Sequence, residues 1–119
     1  MEFYYAPMSC AFASHVLLED AEAIYKATRI DLKKGDQNKP DFLKINPKGR
    51  VPALITSKGI LTETPAIMYY ICMLHPEQKL APNDPYELAE AQAFNMYLSS
   101  TVHVGHAHKH RGQRWTNDE

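Results

Sequence analysis

The stretch Asn46-Pro47-Lys48-Gly49-Arg50-Val51-Pro52-Ala53-Leu54 constrains this chain more than any other. Asn first, Pro second and Gly fourth are the residues a type I turn wants, so the backbone reverses over 46–49. The apolar run that follows, Val51 to Ile55, reads as a strand. Pro52 has no N–H to give to a ladder and belongs at the start or edge of that strand. An X-Pro bond in this place is also where a cis peptide fits. A cis bend would turn the N–H and C=O of Val51 outward, free to pair with an extended peptide as a short added strand. An edge proline with no ligand is the alternative.

The remaining elements follow from local pattern. Phe3, Tyr4 and Tyr5 form a first strand, stopped by Pro7 and Ser9. From Cys10 the pattern is helical, with Phe12, Val16, Leu17 and Ala21 predicted on one face. Tyr25 to Leu32 suggests a second strand with Ala27, Ile30 and Leu32 apolar, and Lys33-Lys34-Gly35-Asp36 a polar turn. Pro40 to Ile45 reads as a short helix. Val51 to Ile55 and Ile60 to Leu61 make a hairpin around Ser57-Lys58-Gly59. Thr64 is placed to cap the next helix with Pro65 at its first position. Ile67, Ile71 and Leu74 lie on its predicted buried face, Cys72 is a packed thiol, and His75-Pro76 closes it. Leu80 to Pro85 is a linker, and a long helix resumes at Tyr86 with Leu88, Ala91, Phe94, Leu98 and Val102. The order is βαβαββα, then a linker and a helix. A strand–helix–strand unit followed by a hairpin and a helix is the thioredoxin-type α/β arrangement.

Composition narrows the function classes. With 119 residues, 45% hydrophobic and 23% charged, the chain suits one domain. Thirteen basic against fourteen acidic residues leave a net charge of −1, so no global field recruits nucleic acid or an anionic membrane. No apolar run is long enough to span a bilayer, and the N-terminus lacks a secretory signal pattern. Two cysteines, Cys10 and Cys72, are too few for a disulfide scaffold. A cytoplasmic protein with free thiols is expected. His103, His106 and His110 share a helical face that could hold a metal, but no acidic or thiol ligand accompanies them, so no metal is expected. Lys109, His110, Arg111 and Arg114 read as a solvated basic end, with Trp115 as an anchor.

Three motifs occur in order: Tyr4-Tyr5-Ala6-Pro7-x-Ser9-Cys10, the turn-and-strand segment 46–54, and Leu61-Thr62-Glu63-Thr64-Pro65-Ala66-Ile67. Together they resemble bacterial glutathione S-transferases, most of all the beta class with its cysteine after the first strand. The resemblance covers residues 2 to about 103. It implies a glutathione-binding domain at 1–79, a linker at 80–85 and the beginning of an all-helical domain at 86–119. Arg111-Gly112-Gln113-Arg114-Trp115 resembles the family's turn into the next helix, so an architectural end at Glu119 is not expected.

The resemblance also implies a site. Cys10 stands between a strand and a helix start, where N–H groups and the helix dipole favour negative charge. It would contact the glutathione sulfur; Tyr5 and Ser9 are rivals, since other classes use a hydroxyl near this point. Val51 and Pro52 would hold the peptide backbone. Glu63 would meet the γ-glutamyl ammonium, and the Thr64 hydroxyl and helix N-terminus its carboxylate, with plain helix capping as the alternative. Lys33 or Lys34 would meet the glycyl carboxylate, although the lysine of beta-class relatives maps nearest Gly35. His103 aligns with a family histidine that points into the glutathione cleft, while the lysine that usually follows is Val104 here. The implied partners are glutathione as co-substrate, a small electrophile and a second subunit in a homodimer. Glutathione-dependent thiol–disulfide exchange through Cys10, and a non-catalytic interaction module, remain as alternatives.

Overall fold

The computed structural model describes residues 1–110, 112, 116 and 117, with the side chain of His110 outside that set. The expectations for Arg111, Gln113, Arg114 and Trp115 therefore lie outside the described residues. The chain divides into two compact units, Met1–Ala81 and Pro82–Glu119.

In the first unit the strands are β1 (Glu2–Tyr5), β2 (Lys26–Arg29), β3 (Ala53–Thr56) and β4 (Gly59–Thr62), and the helices α1 (Ala11–Asp20), α2 (Pro40–Leu43) and α3 (Thr64–Leu74). One four-stranded sheet has the order β2-β1-β3-β4. β1 runs parallel to β2 and antiparallel to β3, and β3 runs antiparallel to β4. This is the βαβαββα order of a thioredoxin-like fold. Side chains alternate across β1, so Phe3 and Tyr5 face one side and Tyr4 the other. Phe3 meets His15 of α1 at 5.4 Å between ring centres, and Tyr4 meets Phe42 of α2 at 5.8 Å. Helices thus cover both faces. Phe3, Leu18, Leu54, Ile67 and Ile71 are the largest apolar side chains of the fully buried core.

Several expected faces shift. Along α1 the buried residues are Ala11, Ser14 and Leu18, while Phe12 is 70% exposed and Val16 is also exposed. Apolar residues occur all round this helix, so periodicity does not single out one face. The smaller Ala11 and Ser14 are the residues that let it pack closely. β2 is shorter than expected and leaves Ala27 exposed, as an edge strand can. In α3 Ile67 and Ile71 are buried, but Leu74 at the last turn is exposed. Thr64 is the first helical residue and Pro65 the second, so the N-cap is Glu63 and not Thr64. Cys72 is buried, its thiol 3.7 Å from the Leu80 carbonyl.

The turn at 46–49 forms as its residues demand. The Gly49 N–H donates to the Asn46 carbonyl at 2.9 Å, with Gly49 at φ +59°. The Asn46 side chain, 1% exposed, fastens the loop internally. Its amide donates to the Arg50 carbonyl at 2.6 Å, and its oxygen accepts the Lys48 N–H at 3.2 Å. Beyond it, the Val51–Pro52 peptide is cis.

The second unit holds α4 (Pro85–Tyr97) and α5 (His103–His110), joined by a π-helical turn at Leu98–Val102. The sequence pattern predicts one uninterrupted helix here, and the wide turn interrupts it. Asp84 caps α4, accepting the N–H groups of Tyr86 and Glu87. Phe94, Leu98 and Val102 are all exposed. Among the described residues no helix is long and apolar enough to cross a membrane.

Two outcomes are expected. Asn46→Ala removes the donor to the Arg50 carbonyl and the acceptor of the Lys48 N–H, loosens the turn, and should lower unfolding free energy by about 1–3 kcal/mol in a urea titration. An unchanged midpoint would show that the loop is held by other contacts. Glu2 joins β1 to β2 by accepting the Thr28 hydroxyl and the Lys26 ammonium, which hold its carboxyl below the ordinary carboxylate range. Its contribution is therefore full above about pH 4.5 and fades as pH falls through the lowered folded value. Glu2→Gln should then lose less stability than wild type between about pH 5 and pH 3; parallel pH profiles would contradict this.

Candidate functional site

Register places the site. Ala53 pairs with Tyr4 on one side and with Thr62 on the other. The segment after Tyr5, the segment before Ala53 and the segment after Thr62 therefore leave the sheet at one end. Neighbouring strands lie about 5 Å apart, so these three backbones span roughly 10 Å. β2 also ends there, with Arg29 opposite Tyr5 and the Ile30 N–H donating to the Tyr5 carbonyl at 2.7 Å. Across that end, in sheet order, come the 30–35 loop, the Cys10 segment, Val51–Pro52 and Glu63–Thr64.

Cys10 occupies the N-cap of α1 and its thiol is exposed. The sulfur lies 3.6 Å from the Val51 carbonyl, which joins the first and second motifs directly. Val51 precedes both strand pairings, so the ladder itself gives its N–H no partner. Ser9 is engaged locally: its hydroxyl donates to the Ala6 carbonyl at 2.7 Å and accepts the Ala11 N–H at 3.2 Å. Its one proton is thus already directed at the backbone. The Tyr5 ring packs 4.7 Å from His15, on the face covered by α1.

Glu63 has the left-sided backbone angle φ +72°, which a non-glycine residue adopts at a cost of about 1–3 kcal/mol. Its carboxylate is exposed and paired with Lys48, whose ammonium also donates to the Thr62 hydroxyl at 3.0 Å. The sequence reading leaves Glu63 without a protein partner; in the structure it has one. Lys48 was missed because a turn lysine in the sequence looks like any solvated charge. Only the Ala53–Thr62 register shows that the 46–49 turn and the β4 end are neighbours. Thr64 is half-buried at the α3 start, and the N-cap residue Glu63 makes no side-chain capping bond.

Lys34 lies in the loop after β2, 4.0 Å from Asp31, whose carboxylate accepts the N–H groups of Lys33 and Lys34. Gly35 takes φ +72° there. Asp36 accepts the Asp31 N–H and pairs with Lys39 at 2.6 Å, which holds its carboxyl low. His103 opens α5 in the second unit and is exposed. Among the described residues no three potential ligands are gathered as a metal site would need.

A thioredoxin-like domain with an exposed thiol at a helix start, beside a strand whose first peptide lies outside the ladder, defines the class. The model of the glutathione S-transferase N-terminal domain matches residues 1–72. The chain belongs to the glutathione S-transferase family. It is 35% identical over 108 residues to the glutathione S-transferase GstA of Escherichia coli O157:H7, covering 88% of this chain and 54% of that protein. It is 35% identical over 99 residues to a zeta-class glutathione S-transferase of Euphorbia esula, covering 82% and 44%. Among solved structures, a glutathione transferase homologue from Sulfitobacter with bound glutathione is 42% identical at a TM-score of 0.95, over 99% of this chain and 57% of that one. A beta-class enzyme of Sphingomonas chungbukensis is 34% identical at 0.81, over 90% and 55%. The chain thus spans about half the length of the curated relatives it matches.

Backbone strain at Glu63 is measurable. Glu63→Gly and Glu63→Ala delete the same carboxylate, but only glycine is at ease at φ +72°. Glu63→Gly should be the more stable by about 1 kcal/mol in chemical denaturation; equal stability would show the backbone relaxing without cost.

Proposed function

We propose that this chain binds glutathione across the sheet end and activates its thiol for attack on an electrophilic carbon. The observation that carries the reading is the Cys10 thiol 3.6 Å from the Val51 carbonyl, at the peptide that precedes the ladder. A glutathione lying along this end pairs its cysteinyl backbone with Val51, beside Pro52, which brings its sulfur to Cys10. Its γ-glutamyl head then lies toward Glu63 and the Thr64 end of α3, and its glycyl carboxylate toward Lys34. Cys10 is the favoured contact of the sulfur over Tyr5 and Ser9, because the Ser9 proton goes to Ala6 and the Tyr5 ring lies against His15.

In the reaction, a C–S bond forms between the glutathione sulfur and the electrophile as the leaving group departs with its electron pair. The proton of the thiol passes to solvent. Binding supplies position, and donors near the sulfur supply stabilisation of its negative charge. The second unit is read as the beginning of the family's helical domain, with His103 on it, and the whole protein as a cytoplasmic homodimer. The match over 99% of the chain to the Sulfitobacter structure supports that reading of the second unit. An exposed thiol suits a reducing compartment.

The test uses S-methylglutathione, which lacks a thiol of its own. It should protect Cys10 from alkylation and bind measurably by calorimetry, with Glu63→Gln weakening binding about tenfold. Absence of both binding and protection overturns the proposal. Conjugation of an aryl halide supports the transferase chemistry. Turnover confined to glutathionylated disulfides, and lost in Cys10→Ser, would replace it with thiol–disulfide exchange.

A further inference from the structure

Glutathione carries two opposite charges on one carbon of its γ-glutamyl head, and the site as described so far assigns a charged side chain to only one of them. The chain places a second, opposite charge directly against Glu63. Lys48 reaches the Glu63 carboxylate and the Thr62 hydroxyl together. Its backbone N–H is fastened to the buried Asn46, which fixes the point from which the side chain reaches Glu63 and Thr62. Both charged groups remain open to solvent, with side chains 48% and 62% exposed. A ligand can therefore reach the pair without unpacking anything.

Resting on the glutathione reading, we propose that Lys48 and Glu63 form a two-charge receptor for a zwitterionic α-amino-acid head: Glu63 takes the ammonium and Lys48 the α-carboxylate. The electrostatics follow from the pairing. An ammonium arriving alone at Glu63 meets the Lys48 charge beside it, and the like charges repel. A head that brings its own carboxylate places that negative charge against Lys48 and turns the repulsion into a second attraction. The four charges then alternate in sign. Lys48 is in this way a specificity-determining residue: it favours γ-glutamyl peptides that keep the α-carboxylate and disfavours amines that lack it. The Thr64 hydroxyl and the α3 start still donate to the same carboxylate, so Lys48 adds to that contact.

The experiment compares two peptides on the full chain by calorimetry: S-methylglutathione, and its 4-aminobutyryl analogue, which keeps the ammonium and lacks the α-carboxylate. Lys48→Met should weaken S-methylglutathione about threefold to fivefold, as an exposed charge pair allows. The analogue should bind Lys48→Met as well as wild type or better, because the repelling charge is gone. Lys48→Arg should restore most of the discrimination. An equal loss for both peptides would overturn the inference and leave Lys48 as a support for Glu63. Tighter binding of S-methylglutathione to Lys48→Met would also overturn it, making Lys48 a competitor for Glu63. Wild type that binds neither peptide overturns the glutathione reading itself, an outcome distinct from the other two.

Discussion

Ala53 is held on both sides, by Tyr4 of β1 and by Thr62 of β4, and the relative positions of Cys10, Val51 and Glu63 depend on that double pairing. The register fixes where β1 stops, where β3 starts and where β4 ends. These are the points from which Cys10, Val51 and Glu63 depart. A slip of one residue would also turn Leu54 out of the core, where it is fully buried between Phe3 and Leu61. The apolar interior thereby enforces the spacing of a polar site. Asn46 extends the same control one step outward, fixing the loop that delivers Val51 and Lys48.

Much of the fold was legible because it is written in local chemistry. The turn at 46–49 needs only Asn, Pro and Gly in the right order, and the element order follows from where apolar runs are broken. The faces of α1 were not legible, since Phe12, Val16 and Leu17 offer periodicity as good as that of Ala11, Ser14 and Leu18. Which set is buried is decided by how closely the helix can approach what it packs on. The cap of α3 was misassigned for a related reason. Thr64 is the better capping residue by propensity, yet the backbone at Glu63 turns one position earlier, at φ +72°.

The candidate site divides in the same way. Cys10, Val51, Pro52, Glu63 and Thr64 could be chosen from motifs, because each sits beside a strand end or helix start visible in the sequence. Lys48 could not, because its partner lies 15 residues away and is brought near only by the hairpin. Ser9 shows the converse: its type suited chemistry, and its hydrogen bonds to Ala6 and Ala11 show it closing the turn into α1. Hydrogen bonds present only in the folded chain, local at Ser9 and distant at Lys48, distinguish these two residues.

The two cysteines end up in opposite states. Cys10 is exposed at a helix start, whereas Cys72 is packed in α3, where burial pushes its thiol up from the ordinary range. To a mild thiol reagent the native chain is therefore a one-thiol protein, and the unfolded chain a two-thiol one. The second equivalent of label is taken up only as fast as the packing of Cys72 against the Leu80 segment opens. Reagent stoichiometry thus becomes a clock for opening around Cys72, carried within the chain and needing no added probe.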